Sequence, residues 1–309
     1  MLNPVKPDST IGVIAPAYAP VPERLERGIR YLKEKGFRVA EGRSLAAKKG
    51  HFAGDDQLRL DDLHRMYADP EVDAIICARG GWGCLRYVDR IDFDLIRNNP
   101  KLLTGYSDIT TLQLAILKET GLPSLSGPMV AVEMGLGIPA FTERHFFNQI
   151  FNKEPQYTFN LHENGADVLN NGRAEGILKG GCLSLIASQL GTPFQPGFED
   201  AVLFIEDVGE SSYKIDRFLA QLKQSGILHS VRGVILGEFL DCDPEPGDME
   251  SSKIDDLIHD FFGDLPVPVL YNFPYGHSLK KISIPLGVQA TIDTNTGQVV
   301  FGNPFYKAG

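Results

Sequence analysis

Between residues 11 and 120 short apolar runs alternate with amphipathic segments, and this alternation restricts the fold more than any other feature of the chain. Ile11 to Ala15 reads as a strand. Glu23 to Lys35 reads as a helix, with Leu25, Ile29 and Leu32 on one face and Gly36 placed to close it. A strand near Phe37 to Ala40, a helix from about Asp55 to Tyr67, strands at Ala74 to Ala78 and Lys101 to Tyr106, and a helix from Ile109 to Thr120 follow. Such an order predicts an α/β unit with a mostly parallel sheet covered by helices on both faces. A short strand around Ser124 and a helix from about Thr142 to Phe151 complete it.

Residues 152–173 are polar and weakly periodic, and are read as a linker between a domain of residues 1–151 and one of residues 174–309. The second half is richer in strand signals: Ala174 to Leu178, Ala201 to Ile205, Val231 to Leu236, Val267 to Leu270, Ile282 to Ile284, Gln289 to Asp293 and Gln298 to Phe301. With helices near Cys182 to Leu190, Lys214 to Ser225 and Ile254 to Phe262, it is expected to form a smaller α+β domain. A chain of 309 residues with 43% hydrophobic content is long enough for two such cores.

At Lys101 to Thr110 an apolar run stops at Gly105 and a helical pattern begins just after Ser107. A serine at a strand-to-helix turn is lifted out of the backbone beside the free N–H groups of the helix, as a nucleophile would be. A serine there also serves as a plain helix cap. The segment Ala78-Arg79-Gly80-Gly81-Trp82-Gly83 follows another strand, so its glycines can present backbone N–H groups to an anion or oxyanion. It lacks the G-x-G-x-x-G spacing of a dinucleotide site, and no cofactor is expected. Trp82, the only tryptophan, is placed as a pocket wall rather than a core residue.

Glu206 ends the run Ala-Val-Leu-Phe-Ile, with Asp207 and Glu210 close behind; spacing leaves all three open as a carboxylate partner, and rigidity at the strand end favours Glu206. His277 lies in a loop set by Pro274 and Gly276, among seven histidines in all. No His pair has helical metal-site spacing and no Cys-x-x-Cys occurs, so neither metal nor disulfide is expected. The formal charge of −10 argues against nucleic acid or an anionic membrane as partner. The first residues hold no apolar leader and no run reaches the roughly 18 apolar residues of a membrane span, which places the protein in the cytoplasm.

Arg79-Gly-Gly-Trp-Gly83, Thr104-Gly-Tyr-Ser-Asp-Ile109, Phe204-Ile-Glu-Asp-Val-Gly-Glu210 with Tyr213, Asp216 and Arg217, and Gly276-His277 with Pro285-Leu-Gly287 together resemble the LD-carboxypeptidase family of serine peptidases. The resemblance spans nearly the whole chain. It implies an N-terminal flavodoxin-like domain, a C-terminal swivelling β/α domain and an active site in the groove between them. It implies Ser107 as nucleophile, Glu206 as the acid that orients the imidazole, and His277 as general base, with an oxyanion hole from the N–H groups of Gly81 and Asp108. The activity implied is removal of the terminal D-alanine from meso-diaminopimelate in murein tetrapeptides, by a homodimer in cell-wall recycling. Trp82 stands where tyrosine is common in relatives. Two other readings remain: a related hydrolase that cleaves peptidyl or aminoacyl-nucleotide antibiotics for self-immunity, and a non-catalytic peptide-binding module.

Overall fold

A computed structural model of the chain describes residues 2–245 and 251–306. The apolar runs of the first half form β1 (Thr10–Ile14), β2 (Arg38–Glu41), β3 (Ala74–Cys77), β4 (Leu102–Gly105) and β5 (Ser124–Ser126). All but β2 are fully buried along their length, as strands covered on both faces must be. They pair in parallel in the order 2-1-3-4-5. This is the flavodoxin-like doubly wound order, in which the sheet reverses direction between β1 and β3. The helices Pro22–Glu34, Asp56–Ala68 and Ile109–Thr120 fall within one or two residues of the periodic segments. Gly121, in the left-handed conformation at φ 72°, ends the last of them.

The remaining strands are β6 (Gln156–Asn160), β7 (Asp167–Asn170), β8 (Arg173–Cys182), β9 (Val202–Val208), β10 (Gly233–Leu240), β11 (Val269–Tyr271), β12 (Ile284–Leu286), β13 (Gln289–Asp293) and β14 (Gln298–Gly302). Eight of them form a second sheet, in the order 6-14-13-8-9-10-11-7, whose centre from β8 to β11 is parallel.

Two placements depart from expectation. Residues 152–173, read as a linker, carry β6 and β7, which close opposite edges of the second sheet against β14 and β11. Edge strands with mixed exposure show little periodicity, and their partners lie about 100 residues away for β7 and about 140 for β6. The segment expected to add a strand at Ile282 to Ile284 in the second half instead gives β12, which pairs antiparallel with β5 and belongs to the first sheet.

The helix Ile109–Thr120 lies where the two sheets meet, and Leu114 on it belongs to the core of the second unit. Thr110 Oγ1 accepts the N–H of Cys182 at 3.1 Å, at the carboxyl end of β8. Gly181, at φ 140°, permits this approach, since a Cβ there would collide with Thr110. The start of that helix is thereby fixed between the carboxyl ends of β4 and β8.

Candidate active site

Ser107 occupies the turn from β4 into the helix Ile109–Thr120 with φ at 63°, a left-handed conformation that non-glycine residues seldom adopt. Backbone bonds on both sides hold the turn: Ile109 N donates to Tyr106 O at 3.3 Å and Thr110 N to Ser107 O at 2.9 Å. The loop after β3 lies against the same turn. A Cβ on Gly80 would come within 2.8 Å of Ser107 Cβ, so only glycine lets that backbone run beside the serine. Gly81 follows at φ 120° with the Tyr18 ring where a side chain would be. Among the described residues no acceptor takes the backbone N–H of Gly81 or of Asp108.

The Asp108 side chain turns inward, fully buried, and accepts the N–H of Cys84 at 2.9 Å, tying the glycine loop to the serine turn. Burial pushes its carboxyl up to about 6, partly offset by that bond. Trp82 stands at 38% exposure, which takes it out of the core.

Glu206 and Asp207 are adjacent on β9, so the strand period sends them to opposite faces. Asp207 faces the helix Leu183–Gln189, where its Oδ2 accepts Ser184 N at 2.7 Å. Burial, and after it the neighbouring Glu206 charge, pushes Asp207 up to about 6. Glu206, 1% exposed, faces the other way and accepts from His277 Nδ1 at 2.7 Å through Oε2. That bond assigns the Nδ1–H tautomer and leaves Nε2 as the basic atom. Among the described residues Nε2 is buried and unpartnered, and Ser107 makes no hydrogen bond to it. The His277 ring packs edge-on against Tyr106, the residue before Ser107, with centroids 5.0 Å apart.

The loop that carries His277 leaves the second sheet after β11 and enters the first at β12, so both sheets hold it. Tyr275 hydrogen-bonds Ser126 on β5. Thr142 Oγ1 donates to Leu279 O at 2.7 Å and accepts Lys281 N at 2.9 Å. Lys281 itself, wholly buried, pairs with Glu133 Oε1 at 2.7 Å, and its Nζ lies 3.6 Å above the Tyr106 ring. Tyr106 Oη donates to the same Glu133 oxygen at 2.8 Å, and Met129 N donates to the other at 2.9 Å. Sequence reasoning passed over this cluster. Its one visible sign was a glutamate amid the apolar Val130-Ala-Val-Glu-Met134.

Ser107 with Asp108, Gly81, Glu206 and His277 thus come from four separate segments to one region where the sheets meet. Other basic residues near the motifs go elsewhere: Arg86 pairs with Asp56 at the surface, and Lys280 lies over the Phe141 ring. Among the competing histidines, His64 accepts Asp92 N and His145 bonds Tyr157, each within its own element's surroundings. All four cysteines are buried thiols. Among the described residues no group of three or more His, Cys, Asp or Glu could hold a metal, and no helix is long and apolar enough to cross a membrane.

Residues 11–127 match the model of the LD-carboxypeptidase N-terminal domain, and residues 175–292 that of the C-terminal domain. The chain is 40% identical over 285 residues to a probable murein peptide carboxypeptidase of Bacillus subtilis, covering 92% of this chain and 89% of that one. It is similar in structure to a muramoyltetrapeptide carboxypeptidase from Oxalobacter formigenes, with a TM-score of 0.85 and 30% identity over 95% of this chain and 99% of the other. The microcin C7 self-immunity protein MccF of Escherichia coli is 27% identical over 94% of this chain and 92% of its own length.

Proposed function

The chain belongs to the LD-carboxypeptidase family, and from that membership we propose that it is a serine-type LD-carboxypeptidase acting on murein tetrapeptides. It is a peptidase by family; the serine mechanism and the roles below are our reading. The observation that carries it is the 2.7 Å bond from His277 Nδ1 to the buried Glu206, with Nε2 left free beside Tyr106 and the strained Ser107.

In this reading Ser107 Oγ attacks the carbonyl of the L-centre of meso-diaminopimelate while His277 Nε2 takes its proton. Glu206 holds the imidazole tautomer and balances the charge of the imidazolium. The oxyanion forms at the unclaimed N–H groups of Gly81 and Asp108. Collapse returns the proton from Nε2 to the leaving nitrogen, D-alanine departs, and water activated by the same histidine hydrolyses the acyl-enzyme. The lack of a hydrogen bond between Ser107 and His277 among the described residues suits a free enzyme, in which such bonds tighten on substrate binding. Assembly as a homodimer and action in the cytoplasm belong to the same reading, supported by the family resemblance; sedimentation velocity and cell fractionation test them.

Mass spectrometry of a diaminopimelate-containing tetrapeptide, incubated with the protein or with Ser107→Ala, tests the assignment. Loss of one alanine with the unmodified protein alone is expected. An intact peptide overturns the substrate and turns attention to aminoacyl-nucleotides; cleavage by both proteins overturns Ser107 as nucleophile.

A further inference from the structure

Between the loop after β1, the helix Pro22–Glu34 and the segment after β2, a crevice of about 1220 Å³ opens at the carboxyl end of the first sheet. Tyr18, Leu25, Ile29, Leu45, His51 and Arg79 are among the residues that line it. Ligands of open α/β sheets bind outside the carboxyl ends of the strands. Arg79, directly after β3, brings a cation to this crevice from the β3 side.

Of all the arginines, only Arg59 and Arg79 are withdrawn from solvent. Arg59 has each of its three nitrogens engaged: it pairs with Asp56 and donates to the carbonyls of Asp55 and Pro16. Arg79 differs. No carboxylate pairs with it and no hydrogen bond uses its guanidinium among the described residues; the Tyr18 ring lies 5.5 Å from the guanidinium carbon, and Arg24 adds a second positive charge to its surroundings. A half-buried guanidinium with five free donors carries a desolvation cost that nothing in the protein offsets, and a planar anion would offset it.

The position of Arg79 along the chain says which anion. The next residue, Gly80, runs against Ser107, and the one after, Gly81, bears an N–H assigned above to the oxyanion. An anion held by Arg79 therefore lies close to the scissile bond. The free carboxylate of the leaving residue meets that condition, since its carbon is two bonds from the scissile nitrogen.

We propose that Arg79 binds the terminal carboxylate of the leaving D-residue and so makes a free C-terminus obligatory. This inference rests on the carboxypeptidase reading, which supplies the substrate. A murein tetrapeptide holds other carboxylates, notably that of the D-glutamyl residue, and the test separates them.

Three peptides are compared: the free tetrapeptide, its C-terminal carboxamide, and the tetrapeptide amidated at the D-glutamyl carboxylate instead. Charge-assisted bonds of this kind predict that the unmodified protein has kcat/KM about 10- to 100-fold lower for the C-terminal carboxamide. Arg79→Met is expected to cleave acid and carboxamide at similar low rates, and Arg79→Lys to keep part of the preference. In a Ser107→Ala background, where no turnover occurs, calorimetric binding of the same peptides should show discrimination lost on Arg79→Met and reduced on Arg79→Lys.

If both Arg79 variants keep the full preference for the free C-terminus, or lose only a preference at the D-glutamyl carboxylate, the inference is overturned while the carboxypeptidase reading stands. If the unmodified protein cleaves none of the three, that reading falls and takes this inference with it.

Discussion

Ser107 holds φ at 63° although it carries a side chain, and this can be weighed apart from its chemistry. An L-residue in the left-handed region costs about 1–2 kcal/mol relative to the right-handed one, and glycine avoids that cost. Glycine loses about 0.5–1 kcal/mol more backbone entropy on folding. Ser107→Ala and Ser107→Gly both delete Oγ, but only the second relieves the backbone. The difference leaves Ser107→Gly about 0.5–1 kcal/mol more stable than Ser107→Ala, and both inactive. Urea unfolding read by tryptophan fluorescence and circular dichroism measures this, as a higher midpoint for Ser107→Gly at equal slope. A glycine variant that unfolds at or below the urea concentration of the alanine variant would refute the claim that strain is stored at the nucleophile turn.

Lys281→Met leaves Glu133 charged and unpaired beneath the His277 loop and should cost about 3–5 kcal/mol, most of it recovered in Lys281→Met/Glu133→Gln; thermal unfolding of the three proteins checks this. Gly81→Ala must move either the Tyr18 ring or its own backbone at φ 120°, so kcat should fall on the order of 100-fold through a displaced oxyanion donor, measured by D-alanine release. Asp108 and Asp207 have carboxyls raised to about 6 by burial, so the folded protein binds their protons more tightly than the unfolded chain does. Their contribution to stability is therefore present below about pH 4 and lost as the pH rises through 6. Carbon-13 spectra should place both midpoints near 6; midpoints near 4 would show that burial does not hold these protons.

The helix Ile109–Thr120 was legible because its signals are local: an apolar face with helical period, a preceding glycine and a closing Gly121. The glycines of the β3 loop were equally visible as glycines, but that Gly80 spares the Ser107 side chain depends on two loops meeting in space. The choice between Glu206 and Asp207 shows the limit sharply. Alternation along β9 places them on opposite faces, yet nothing local says which face looks toward His277. Packing of the helix Leu183–Gln189 on the Asp207 side, where Ser184 N takes that carboxylate, settles it. Lys281 looked like a surface lysine next to Lys280, and only the fold buried one and left the other out.

By itself, then, the sequence determined the alternation of strands and helices in the first half, the turn that bears Ser107 and the strand that bears Glu206, because periodicity, caps and glycine are properties of neighbouring residues. The tertiary structure decided that β12 leaves the second half of the chain to pair with β5. It decided likewise that the His277 loop is anchored to the first sheet through Tyr275 and Ser126, and to the helical turn Val130–Met134 through Lys281 and Glu133. A three-residue strand has too few side chains to specify a partner by pattern, so its pairing is set by which edge remains open once the larger elements have packed. That choice carries the histidine across to the serine.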